Sequence, residues 1–318
     1  MKIKNLAPVL GAGVLLVAGL VGVTVPAQGA TAPGNVAAVN DVAGRPNSLP
    51  PLNVKGHQPP AVKKAKAKAP RDLKLASACT TPCYSYAGAR FTTTNTNVVG
   101  AVDNMLVATP ARQTSDYHTL AEIAVQSSDS QQAVEAGWTV DNGLNGDNNP
   151  HLFVYSWKNG TGQGYNGGNG WTDNGSEALN AGASLSTYNN TKIKFLWQYF
   201  DSKWWLDAQI SGADHWIGYY PGSSWTSPTF TYTQRVQVFG EVSAANSPTC
   251  TDMGNGTQAG VGAGAQNGSF TTYDGSTWAL TSITGTNFND TANGYDFYSE
   301  SNYTFRYGGG GSPQSVGC

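Results

Sequence analysis

Two glutamates stand inside runs that otherwise read as apolar strands. Glu135 lies in Ala133-Val134-Glu135-Ala136-Gly137-Trp138-Thr139-Val140, and Glu241 in Val236-Gln237-Val238-Phe239-Gly240-Glu241-Val242. A carboxylate in such a run is costly unless it is solvated, paired or chemically used. Strand alternation sets Val134, Ala136, Trp138 and Val140 against Glu135, Gly137 and Thr139, and it sets Val236, Val238, Gly240 and Val242 against Gln237, Phe239 and Glu241. If the valine faces form the core, both carboxylates fall on outer or cleft-facing surfaces that a curved sheet can bring together. Two close carboxylates cannot both ionise cheaply, so one keeps its proton well above the usual glutamate range of about 4. Water held by such a pair meets a base and an acid together. One member takes its proton as it attacks a peptide carbonyl; the other donates to the oxyanion or the leaving nitrogen. Activity of this kind peaks below neutral pH.

The elements that must position these groups are short. Runs rich in Val, Thr, Tyr and Trp, bounded by Asn, Gly, Asp or Pro, predict strands over 84–92, 98–107, 120–126, 133–140, 152–157, 183–188, 192–200, 204–210, 215–220, 232–242, 269–273, 277–283 and 303–307. Long amphipathic helix patterns are missing. The expected fold is all-β, a single large antiparallel β-sandwich of jelly-roll type. Asp201-Ser202-Lys203 should turn one strand into the next as a hairpin. The Gly/Asn-rich stretch 159–175, with Tyr165 and Trp171 as its large side chains, reads as a surface loop over a cleft, and 260–268 as a second, flexible loop.

Residues 1–29 read as a signal peptide: Lys2 and Lys4, an apolar run from Leu6 to Val25, then Ala27-Gln28-Gly29. The expected location is therefore extracellular, with no membrane attachment after cleavage. Residues 30–78 are rich in Pro, Ala and Lys and too poor in apolar surface to fold alone, as in a pro-segment, which leaves 79–318 as the folded domain. From Leu75 onward 8 basic face 18 acidic side chains, a formal charge of −10, whereas 30–74 carries 8 basic and 2 acidic, a charge of +6. A body this acidic argues against a nucleic-acid partner. The opposed charges suit a leader that inhibits its own domain and is released in acid, with Pro70 and Pro82 as sites of self-cleavage. Four cysteines in an exported chain suggest two disulfides, with Cys79–Cys83 and Cys250–Cys318 favoured among three pairings. No metal or cofactor is expected, since the histidines are scattered and thiolate ligands suit an oxidising compartment poorly.

At the two glutamates the chain resembles the neprosin family of glutamic peptidases, secreted enzymes that include a proline-directed endopeptidase of pitcher-plant fluid. The resemblance runs through residues 133–140, Asn145-Gly146-Asp147, Leu152-Phe153-Val154-Tyr155, Lys203-Trp204-Trp205-Leu206, Trp216-Ile217-Gly218-Tyr219-Tyr220-Pro221, Phe239-Gly240-Glu241-Val242 and Thr251-Asp252-Met253-Gly254-Asn255-Gly256. It implies an antiparallel β-sandwich with Glu135 and Glu241 as the catalytic pair, acting on protein or peptide substrates cut after proline. Phe239-Gly240 departs from the two glycines common in plant members, which alters the space beside Glu241. Trp205, Trp216, Tyr219 and Tyr220 are expected to wall the site and stack on a proline ring.

Rival readings attach to the same features. Exposed Trp and Tyr beside a carboxylate pair also suit a secreted carbohydrate-binding or glycan-cleaving sandwich; a structural exoprotein without turnover is a third option. His118, His151 and His215 read as surface or strand-end residues, because no Gly-x-Ser-x-Gly elbow accompanies them. Asp147 sits in a turn that lacks the spacing of a calcium loop.

Overall fold

The computed structural model describes residues 81–311 except for 96, 176–178, 226–228, 261–265 and 282–286. The signal peptide, the pro-segment, Cys79 and Cys318 thus lie outside the described residues. Cys83 and Cys250 lie within them, and neither is free.

Seventeen strands account for about half of the described residues. The first six are β1 (Cys83–Thr92), β2 (Gly100–Leu106), β3 (His118–Gln126), β4 (Ala133–Val140), β5 (His151–Lys158) and β6 (Thr161–Gly162). Then come β7 (Thr172–Asp173), β8 (Lys192–Phe200), β9 (Lys203–Ile210), β10 (Ala213–Pro221) and β11 (Arg235–Ala244). The last are β12 (Gln266–Ser269), β13 (Thr271–Tyr273), β14 (Trp278–Leu280), β15 (Asn287–Phe288), β16 (Asp296–Ser299) and β17 (Thr304–Gly308). The first sheet has the order β15-β1-β11-β3-β4-β5-β6 and the second β14-β13-β2-β8-β9-β10-β7; β12-β17-β16 form a small third sheet. The pairings are antiparallel, and the fold is the β-sandwich the sequence predicts.

Alternation decides which side of each strand enters the core. Ala121, Ile123, Val125, Val134, Ala136, Trp138, Val236, Val238 and Val242 of the first sheet meet Ile193, Phe195, Trp197, Trp204, Leu206 and Tyr220 of the second in one apolar cluster. Two of the indole N–H groups buried there find carbonyl acceptors: Trp138 Nε1 donates to Leu106 O at 2.8 Å and Trp204 Nε1 to Phe230 O at 2.8 Å. Residues 183–188, predicted as a strand, instead form a turn ending in a 3-10 helix, Ser186–Tyr188. Their alternation is real, but the segment's backbone bonds go locally and to the β5 entrance, as in Leu185 N to Pro150 O. The stretch 260–268 also departs from expectation, since its end forms β12 and pairs with β17.

Candidate active site

The two glutamates share one face of the first sheet with a third. Glu241 on β11 pairs directly with Leu120 on β3 and Tyr86 on β1, while Glu135 on β4 pairs with Ala124 on β3 and Tyr155 on β5. Directly paired residues point to the same side, so both carboxylates oppose the valine core as alternation predicted. Glu122 on β3 pairs with Phe239 and Gly137, which places it diagonally next to each of the other two. Such diagonal neighbours are about 7–8 Å apart at Cα, within reach of long side chains. The three carboxylates therefore run obliquely across β11, β3 and β4 with Glu122 in the middle.

Local sequence explains how they come so close. A Cβ placed on Gly137 would lie 1.9 Å from the Ala121 carbonyl oxygen and 2.8 Å from Glu122 Cα. Only glycine lets β3 and β4 approach this tightly between Glu122 and Glu135. Behind Glu241, a Cβ on Gly240 would stand 2.6 Å from Met253 Cγ, so the Thr251–Gly256 motif packs the rear of β11. Phe239 does share the glutamate face: it opposes Glu122 and touches Tyr86 and Phe288 edge-on, with ring centroids 6.1 Å apart in both cases.

These carboxylates are buried, where the sequence suggested surface or cleft. Each of Glu122, Glu135 and Glu241 is 1% exposed. Burial pushes the carboxyls of Glu122 and Glu135 well above the usual range. The charge on Glu241 raises both further, and Glu135 also acts on Glu122. Against this, Trp157 Nε1 donates to Glu135 Oε1 at 3.0 Å and favours its ionised form. Glu241 Oε1 lies 2.7 Å from His118 Nε2. The Nδ1 of that imidazole stands 3.9 Å from Asp141 Oδ2, and Asp141 caps the short helix Asn142–Asn145 by accepting from Leu144 N. Burial lowers the His118 pKa to about 4, with Asp141 opposing the shift, so the ring is neutral near neutrality.

His118 is thus a fully buried partner of Glu241, which corrects the surface reading. Its strand carries the signal that was missed: extended one period back, Leu120, Glu122 and Ala124 share a face with His118. His151 also has partners, Asp147 Oδ1 at 3.0 Å and Gly182 O at 2.8 Å. Asp147 accepts from Asn149 N as well, which gives it a turn-closing role.

The expected aromatic wall is placed elsewhere. Trp205, Trp216 and Tyr219 cluster on the outward face of the second sheet, with Trp205–Tyr219 centroids at 4.6 Å and Lys203 Nζ 5.1 Å from the Tyr219 ring. Tyr220 is buried between the sheets against Trp171, Trp197 and Trp225. The sheets alternate independently, so residues facing away from the core on β9 and β10 point away from the first sheet's glutamates. The aromatics that do surround the carboxylates are Tyr86, Phe153, Tyr155, Trp157, Tyr165 and Phe239. Tyr165 comes from the presumed surface loop: it is 3% exposed and packs edge-on against Phe153 and Tyr155. Trp171 of the same stretch enters the core.

Among solved structures the chain is similar to scytalido-glutamic peptidase with a transition state analog inhibitor, at 9% identity and a TM-score of 0.44, covering 72% of this chain and 99% of that one. It is also similar to SCP-B, a member of the eqolisin family of peptidases in complex with the tripeptide Ala-Ile-His, at 11% identity and a TM-score of 0.36 over 72% and 99% of the two chains. No curated protein matched in sequence. The Neprosin family model matches residues 115–310, a span that holds all three glutamates and most of both sheets, so the chain belongs to the Neprosin family of glutamic-peptidase-like hydrolases.

Proposed function

We propose that this protein is a secreted, acid-active endopeptidase in which Glu135 and Glu241 activate water and cleavage follows proline. The observation that carries the reading is the burial of two catalytic candidates and a third carboxylate on one face, where their charges oppose one another. Glu135, held protonated by burial and by the Glu241 charge, serves as the acid. Glu241, bonded to His118, serves as the base that takes the proton of the attacking water. Glu122 stays neutral in acid and stands between them on the middle strand. His118 and Asp141 position Glu241 without touching substrate.

The proline preference rests on family resemblance, and the ring-binding surface under this reading is Tyr155, Trp157 and Tyr165 beside Glu135. Residues 1–29 are the export signal and 30–78 an inhibitory leader whose +6 charge attracts the −10 body. Digestion of an unstructured protein at acidic and neutral pH by the intact, Glu135→Gln and Glu241→Gln forms tests the proposal. Mass analysis should show acid-dependent cuts after proline by the intact form alone; cleavage that survives either substitution would refute the mechanism. N-terminal sequencing after incubation near pH 4, about the carboxylate pKa, should show the leader removed.

A further inference from the structure

The outward face of the second sheet holds a feature that peptide hydrolysis does not use. Side chains on β2, β8, β9, β10, β13 and β14 line a cavity of about 480 Å³, with Trp216 at one side and Trp278 at the other. Register fixes their order. Val102, Leu196, Asp207 and Trp216 form one row across β2, β8, β9 and β10, and Asn104, Lys194, Gln209 and Asp214 form the next. Trp278 stacks on Tyr273, with centroids 4.7 Å apart, and leans across Gly100, where a Cβ would meet its ring at 3.4 Å. The indole thus reaches toward β2. From β2 to β10 is three strand spacings, roughly 14 Å, the scale of a short oligomer lying across the strands.

The polar lining is built for a ligand rather than for the fold. Asp207 is 3% exposed, lines this cavity, and has an Oδ1 without a hydrogen-bond partner among the described residues. A buried acceptor in this state costs free energy unless something supplies a donor. Gln209 Nε2 donates to Asp214 Oδ1 at 2.8 Å, which orients both beside it. Carboxylates, amides and the Lys194 ammonium therefore converge between two indoles, of which Trp278 is 37% exposed. Opposed charges disfavour a simple ion. Hydroxyl groups, which donate and accept in pairs, match such a mixed lining, and the C–H faces of pyranose rings match the indoles.

We infer that this groove binds a neutral oligosaccharide of equatorially substituted hexopyranoses, with Asp207 accepting from sugar hydroxyls and Trp216 and Trp278 stacking on the ring faces. The groove lies on the opposite side of the sandwich from the glutamates, so binding is independent of catalysis and would hold the protein on a glycan. Titration of the full chain with cellohexaose, laminarihexaose and chitohexaose, read by tryptophan fluorescence and calorimetry, tests this. Saturable binding of at least one is expected. Trp278→Ala, at an exposed position that folding tolerates, should weaken it about tenfold, the scale of a lost stacking partner, and Asp207→Asn should weaken it as well. Both variants should cleave peptides as the parent does. No binding of any of the three, or binding unchanged in Trp278→Ala, would overturn the inference, and so would binding of oligolysine in place of sugar.

Discussion

The two outer faces of the sandwich use similar residues to opposite ends. Each has carboxylates among aromatic rings, yet on the first sheet three glutamates are buried together, whereas on the second a buried Asp207 and an exposed Asp214 line a groove beside amides and a lysine. Burial with like charges makes the first face a proton-holding device. Burial also lifts the Asp207 carboxyl, to about 6, with Asp214 adding to it, but His215 and nearby backbone donors counter the shift. What separates the faces is therefore the number of like charges and the access to solvent, more than the kind of residue: buried carboxyls that face one another keep their protons, whereas Asp207, beside amides and a lysine, keeps one oxygen without a donor.

Substitutions can break or sharpen this contrast. The largest effect is expected for Glu135→Gln and Glu241→Gln, each lowering peptide cleavage by a factor of about a thousand or more in a discontinuous assay, with sugar binding intact. Gly137→Ala should come next: its Cβ collides with backbone, so thermal denaturation should show a loss of about 3 kcal/mol or more. His118→Ala should lower kcat by about ten- to a hundredfold and move the acid limb of the pH profile upward, because Glu241 loses a partner that favours its charge. His118→Gln, which can present an N–H at a similar place, should recover part of both.

A subtler effect is expected from Glu122→Gln. The folded-state pKa values of Glu122 and Glu135 are raised, and that of Asp103 is raised to about 7 by burial. Such groups stabilise the fold fully below their unfolded values of about 4, and the contribution is lost as pH rises through the folded values. Melting temperature should therefore fall between acidic and neutral pH, and Glu122→Gln should flatten that fall. His118 acts in the opposite sense: its depressed pKa contributes stability above about 6.5 that is lost as pH drops through about 4. In Glu122→Gln activity should stay within about threefold in acid, since a neutral group replaces a neutral one. Its alkaline limb should stay in place, because the charge that raises Glu135 is that of Glu241. The smallest effect should come from Trp216→Ala, which leaves the cleavage profile of a peptide library unchanged if the aromatics of the second sheet face away from the active site.

Much of this was legible in the chain. Alternation around Glu135 and Glu241 placed both away from the valine core, and short Val/Thr/Tyr runs with Asn/Gly turns specified a sandwich, because side-chain direction in a strand has a period of two whatever its neighbours. The same logic failed for Trp205, Trp216 and Tyr219. Alternation tells which residues share a face of one strand and is silent on which sheet the strand joins.

The sequence alone thus determined the strand faces, the apolar core and two of the three carboxylates, since each follows from local periodicity and composition. Tertiary structure decided the rest. Whether Glu122 and His118 meet Glu241, and whether Tyr165 covers a site or faces water, depends on strand order and register, which join residues more than a hundred positions apart. Burial, which turns an ordinary glutamate into one that keeps its proton, is a property of everything packed around it, and no stretch of sequence carries it by itself.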